Sequence, residues 1–387
     1  MLDISRFHGR LNDLDSHIQP SPQTYEVAAG EVGRHFINML HQMKASLPEE
    51  EAKKITRLTA GESSLFTDET VWHLKGSIAP GAFSPDGRLK ALDHMGVSRA
   101  LIFADPGIQA ATFGNNDLGV KTMYHWNDFV IGFSKHDPDR LRAVALLNTH
   151  DIDVATAEAE RILKAGGRAF VMASAVPPGN VSPAHQKMDK LWGMLQEADA
   201  AALLHAGGEL GFMRGEASWG AGVDHLDFQP MDIASESEQI NTYMFSSFHY
   251  SPQNFLSTIV LGGVFERFPR LRFGVIELGA IWLAPMAERL DQTAMIYQPR
   301  LSHALSMKPS EYIRRNVRVT PYRFEPVADY IDRYGFAECY CFSSDFPHPE
   351  GGTRPIQEFV EHIDRLGPRI AEQFFVTNGE WLLPTSR

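Results

Sequence analysis

The chain has 387 residues, of which 43% are hydrophobic and 22% charged, so it is long and apolar enough to bury a large core, and disorder is excluded. With 48 acidic against 36 basic side chains the formal net charge is −12, and no run of Lys and Arg offsets it locally; phosphate backbones and anionic membrane surfaces are therefore poor partners, and a small-molecule substrate is expected. The first 17 residues carry charges throughout, and no segment has the roughly 18 uninterrupted apolar residues that span a bilayer, so the expected location is cytoplasmic. In chain order, eight short apolar or β-branched runs end in polar residues: 11–17, 99–105, 141–148, 168–173, 201–205, 273–277, 317–320 and 339–345. Amphipathic helical stretches separate most of them; one is 153–165 (DVATAEAERILKA), stopped by Gly166 and Gly167. Cys339 and Cys341 lie two apart in an apolar run, and two free thiols in a reducing compartment are expected.

Eight strand and helix alternations fit a closed parallel barrel better than an open doubly wound sheet, and no G-x-G-x-x-G follows the first strand. The expected class is α/β, a (β/α)8 TIM barrel formed as a single domain over 1–387, with long insertions after strands 1 and 5 at about 19–97 and 207–272. Both insertions follow a strand. In a barrel they rise from the C-terminal face, where active sites are built.

Polar residues fall at the strand ends. Asp15 and His17 close the first strand, His205 the fifth, Glu277 the sixth and Asp345 the eighth. Parallel strands that close a barrel bring their C-termini to one mouth, and residues two apart on a strand share a face. Two imidazoles and two carboxylates, Asp15, His17, His205 and Asp345, then form a nitrogen and oxygen ligand set suited to one divalent metal, Zn2+ first and Mn2+ second.

The segments Asp13-Leu14-Asp15-Ser16-His17, Leu204-His205-Ala206-Gly207-Gly208, FERFPRLR at 265–272, and Ser343-Ser344-Asp345-Phe346-Pro347-His348 resemble the amidohydrolase-related family. That family includes aminocarboxymuconate semialdehyde decarboxylase and the metal-dependent benzoate decarboxylases such as γ-resorcylate decarboxylase. The resemblance spans almost the whole chain and implies a (β/α)8 barrel with one divalent metal, held at the positions of Asp15, His17, His205 and Asp345. Two departures mark this sequence. The first-strand motif is Asp-x-His where the family has His-x-His or Glu-x-His, and Glu277 stands where the family places a His that assists catalysis. In the second respect the chain resembles a long-chain subgroup with Glu-Leu-Gly at this point and a following Trp, here Trp282.

The leading expectation is a metal-dependent hydrolase that acts on a carboxylated, aromatic-derived small molecule through a metal-activated water, with Asp345 as ligand and proton acceptor. Glu277 positions the water or protonates the leaving group, and His249 supplies the imidazole that position 277 lacks. Tyr322 and Arg323 follow the seventh strand and suit a substrate carboxylate, while Trp72, Trp126 and Phe346 are candidate walls for an aromatic ring. The expected role of His348 is to hold the Asp345 loop. The alternatives are a nonoxidative decarboxylase, which the loss of His at 277 disfavours, and a catalytically silent binding barrel, which the joint presence of His17, His205 and Asp345 disfavours. A homodimer is the expected assembly.

Overall fold

The computed structural model of the protein describes residues 3–223, 225–226 and 242–385. Its strands are β1 (Leu11–His17), β2 (Val97–Phe103), β3 (Leu141–Ala143), β4 (Ala145–Leu147), β5 (Ala169–Met172), β6 (Ala201–His205), β7 (Arg272–Ile276) and β8 (Val317–Val319). Every pairing is parallel, in the orders β1-β2-β3 and β4-β5-β6-β7-β8. β3 and β4 are two halves of one strand of the barrel, the third. At the break, Val144 N–H donates to Ile102 at 2.9 Å, so the chain leaves one neighbour and takes up the next.

The eighth strand of the barrel is irregular. Cys341 N–H donates to Val319 at 3.0 Å, Leu14 N–H to Phe342 at 3.1 Å, and Asp345 N–H to Asp15 at 2.8 Å, so the segment 339–345 lies between β8 and β1 and closes the ring. Only two isolated bridges form there, Val319 with Tyr340 and Ser16 with Phe346. The reason is local: the chain turns at Asp345, whose φ is +52°. The sequence-based expectation of a full strand over 339–345 is corrected to that extent. Likewise β7 stops at Ile276, and Glu277 turns off its end with φ +58°; β2 stops at Phe103, and Asp105 instead caps the helix Pro106–Thr112.

Helices cover the outside of the (β/α)8 barrel. The one expected over 153–165 runs Ile152–Lys164, with Asp151 accepting from the N–H groups of Asp153 and Val154. Its residues Ile152, Ala155, Ala159 and Ile162 are buried at helical spacing, and Gly166 takes the φ of +101° that ends it. The first insertion is mostly helical, with helices Glu31–Ser46, Glu49–Leu58 and Pro85–Met95; the second contains helices Thr242–Ser247 and Tyr250–Leu261, and its residues 224 and 227–241 lie outside the described ones. Arg88 pins the first insertion to the barrel: fully buried, it donates to the carbonyls of Gly81 at 2.7 Å, Ala82 at 3.4 Å and His17. Cys339 and Cys341 are both buried free thiols. Among the described residues no helix is long and apolar enough to cross a membrane.

Candidate metal centre

Because all strands are parallel, the C-terminal ends of β1, β6 and β7 and the turn at Asp345 meet at one mouth. Asp15 and His17 share the inner face of β1, His205 ends β6, and the turn at Glu277 swings its carboxylate in toward them. The Glu277 turn is fixed by its own N–H donating to Thr320 Oγ1 at 2.9 Å and by the Tyr322 hydroxyl donating to its carbonyl at 3.0 Å. Glu325 braces the same turn from behind, accepting the N–H groups of Ala280, Ile281 and Tyr322.

The donor atoms converge. His17 Nε2 is 3.3 Å from Asp15 Oδ1, 3.3 Å from Asp345 Oδ1 and 4.0 Å from Glu277 Oε2. His205 Nε2 is 3.2 Å from Asp15 Oδ1 and 3.2 Å from Glu277 Oε2. Ligands bound at about 2.1 Å around one ion stand about 3 Å apart when adjacent and about 4.2 Å when opposite, so these separations fit a single divalent ion. Two further observations agree. His17 Nε2 and Asp345 Oδ1 are buried and make no hydrogen bond among the described residues. Two overlapping groups of donor atoms, Asp15-His17-His205-Glu277 and His17-Glu277-Asp345-His348, each lie within 4.8 Å of one another and could hold a metal ion.

Among the described residues the carboxylates of the cluster hold positive charge strongly. Burial opposes charge on His17, but Asp15 and Asp345 outweigh it and push the imidazole up to about 10. Burial also opposes charge on Asp345, yet His348 and His17 hold its carboxyl well below the usual carboxylate range. Asp15 is lowered despite burial by His17 and His205 beside it, whereas burial lowers His205 itself. The ligand oxygens are thus ionised at neutral pH, as metal binding requires.

A cavity opens beside this cluster, and its lining includes Asp15, Glu277, Tyr322, Arg323, Asp345 and Glu350. Arg323 Nη1 pairs with Glu358 at 2.8 Å. Phe324, 47% exposed, stacks on Tyr322 at 5.4 Å and 13°, and Phe245 of the second insertion joins them at 5.1 Å from Tyr322. Of these three, Tyr322 is expected from sequence as a substrate-binding residue, while Phe324 and Phe245 escape sequence reading.

Other expected site residues lie elsewhere. Trp126 is wholly buried, its indole N–H donating to Val144 at 2.9 Å, so it is core and not a wall. Phe346 is buried with its ring under Arg88 at 5.0 Å. Trp72, half-buried on the helix Asp68–His73, packs against the core and does not line the cavity. His249 meets Tyr250 edge-on at 4.6 Å and is likewise absent from the cavity lining.

Comparison with known proteins adds the lineage. A family model described as Amidohydrolase matches residues 30–384. No curated protein matches the chain. Among solved structures it is similar to an amidohydrolase from Mycobacterium avium subsp. paratuberculosis, at 17% identity over 97% of this chain and 99% of that one, with a TM-score of 0.70. It is also similar to a dihydroxybenzoic acid decarboxylase from a Polaromonas species with bound manganese and 2-nitroresorcinol (17% identity, 97% and 96% covered, TM-score 0.63). A third is 5-carboxyvanillate decarboxylase from Sphingomonas paucimobilis (16% identity, 97% and 99% covered, TM-score 0.58). At these identities the likeness establishes a common fold.

Proposed function

Because the chain belongs to the amidohydrolase family, we propose that it is a metal-dependent enzyme that removes carbon dioxide, without oxidation, from a carboxylated aromatic small molecule. The observation that carries the reading is the clustering of Asp15, His17, His205 and Glu277, with Asp345 3.3 Å from His17, beside a cavity whose lining includes Tyr322 and Phe324. The ranking over hydrolysis draws on the similar solved structures, since two different aromatic acid decarboxylases share the fold along nearly their whole length.

Asp15, His17, His205 and Asp345 would hold the ion, and a set rich in carboxylate oxygen suits Mn2+ at least as well as Zn2+. When bound, the ion would draw in the substrate's carboxylate and an adjacent oxygen and neutralise their charge. The flat ring then lies against Tyr322 and Phe324, with Arg323 at the cavity edge to steer a carboxylate. We assign Glu277 as the acid. It delivers a proton to the ring carbon that bears the carboxylate; the bond from that carbon to the carboxylate breaks, carbon dioxide leaves, and the electron pair returns to the ring. The Thr320 and Tyr322 bonds to the Glu277 backbone keep its carboxyl aimed at that carbon.

Hydrolysis remains the second reading on one specific ground. Glu277 stands where the resemblance places an imidazole, and a carboxylate 3.2 Å from His205 Nε2 also suits taking a proton from water. One assay separates the two. Mn2+-loaded protein is incubated with 2,6-dihydroxybenzoate and with 5-carboxyvanillate in D2O. The expected result is carbon dioxide release with one deuterium at the vacated ring carbon, and a fall in kcat of about 10²-fold or more in Glu277→Gln. Cleavage of an ester or amide probe with 18O taken from water, and no carbon dioxide from either acid, would establish hydrolysis instead.

A further inference from the structure

His348 is engaged at both ring nitrogens. Nε2 is 3.2 Å from the Gln19 side-chain oxygen, and Nδ1 is 3.1 Å from Asp345 Oδ1. Which nitrogen carries hydrogen is decided two residues further out. Asp105, buried and only an acceptor, receives the Tyr25 phenol and the Gly107 N–H (2.8 Å) on Oδ1, and the Gln19 amide N–H on Oδ2. Burial and the Asp105 charge push the Tyr25 phenol far up, so it stays a donor.

Gln19 must therefore turn its NH2 to Asp105 and its oxygen to His348. An amide oxygen accepts only, so His348 Nε2 is the donor in that bond. The other ring nitrogen, Nδ1, faces Asp345 Oδ1 at 3.1 Å.

A histidine that binds metal characteristically donates its other ring N–H to an oxygen, which fixes tautomer and orientation. We propose that His348 is itself a metal ligand through Nδ1, and that Gln19, Asp105 and Tyr25 form the relay that sets its tautomer. The assignment rests on the reading that a divalent ion sits among Asp15, His17, His205 and Asp345. His348, Asp345, His17 and Glu277 each bring one donor atom within 4.8 Å of the others, and this set shares His17 and Glu277 with the set of Asp15 and His205. The His17 and His348 rings stack at 3.7 Å and 23°, so they enter the cluster side by side. Holding the Asp345 loop, the role expected from sequence, requires no particular direction in the relay; ligation does.

Reversing the relay's polarity tests it. Asp105→Asn keeps the size and the cap on Gly107, but turns an N–H toward Gln19. The Gln19 amide then flips and offers its NH2 to His348, whose hydrogen moves to Nδ1 and blocks ligation. Gln19→Glu sets two carboxylates face to face. The double variant Gln19→Glu/Asp105→Asn pairs a donor at 105 with an acceptor at 19 and again turns an acceptor toward His348. Mn2+ alone is the probe: the bound fraction is read from its electron paramagnetic resonance, and coordinated imidazoles are counted from their 14N couplings, with thermal melts to confirm folding.

Wild-type protein is expected to bind one Mn2+ with three imidazoles, and Asp105→Asn and His348→Ala to bind it about 10- to 100-fold more weakly with two. The double variant is expected to recover to within about threefold of wild type, with three imidazoles again. Two imidazoles in wild-type protein, or Asp105→Asn with unchanged affinity and count, overturns the assignment. So does a double variant no better than the singles, which is the outcome of a relay that only packs. If wild type binds no Mn2+, or His205→Ala binds it as wild type does, the reading of the centre fails and takes this assignment with it. A damaged His205→Ala beside an undamaged Asp105→Asn overturns the His348 assignment alone.

Discussion

Asp13, on β1, lies fully buried against the loop that carries Asp345, where it accepts the Ser344 N–H at 2.8 Å, the Ser344 hydroxyl, and the Asp15 N–H at 3.2 Å. It ties the first strand to the eighth within two residues of the centre. Burial nevertheless pushes its carboxyl up, from 3.8 to about 7, against those bonds. Between these two values the folded chain keeps a proton that the unfolded chain has lost. The contribution is therefore full below about pH 4 and is lost as pH rises through about 7. Asp13→Asn, which can accept on one side and donate to Ser344 on the other, is predicted to gain stability relative to wild type as pH is raised from about 4 to about 8. Thermal melts across that range check it, and a difference that does not change with pH contradicts it. At this scale the sequence was informative where chemistry sits at strand ends, as with His17, His205, Glu277 and Asp345. It was silent on Gln19, Asp105 and Tyr25, because a relay whose members lie up to 86 residues apart exists only once the chain has folded. It misplaced Trp126 because an indole in a core and an indole in a wall read alike in sequence.

Among the elements, β1 and β6 have the limits expected of them. The eighth run was legible as a participant but not as an irregular one, because a positive φ at Asp345 leaves no trace in its residue type. Nor did sequence disclose how the first insertion is fixed. Arg88, on the helix Pro85–Met95, also donates to Ser16 Oγ at 3.2 Å, so one guanidinium spans the insertion and the first strand. Burial lowers it to about 10, which leaves it charged at neutral pH. Arg88→Leu takes the guanidinium donor from the carbonyls of Gly81 and His17 and is predicted to lower the unfolding free energy by about 3 kcal/mol or more. Arg88→Lys, with a single point charge in place of the fork, recovers only part of that. Denaturant titration measures both, and a loss below about 1 kcal/mol in Arg88→Leu contradicts the pinning role.

For the whole molecule, the alternation of strands and helices already implied a closed barrel, and closure is what gathers residues from positions 15, 17, 205, 277 and 345 into one mouth. Sequence reasoning puts hydrolysis first because Glu277 replaces an imidazole, and the proposal of decarboxylation reverses that order. Asp15, Glu277 and Asp345 gather with His17, His205 and His348, an arrangement that a divalent ion would stabilise. A crystal structure of the Mn2+-loaded protein, with anomalous scattering recorded at the manganese edge, tests that claim most directly. The account predicts one anomalous peak within about 2.0 to 2.3 Å of His17 Nε2, His205 Nε2 and an Asp345 carboxylate oxygen; no peak among these three side chains would contradict it.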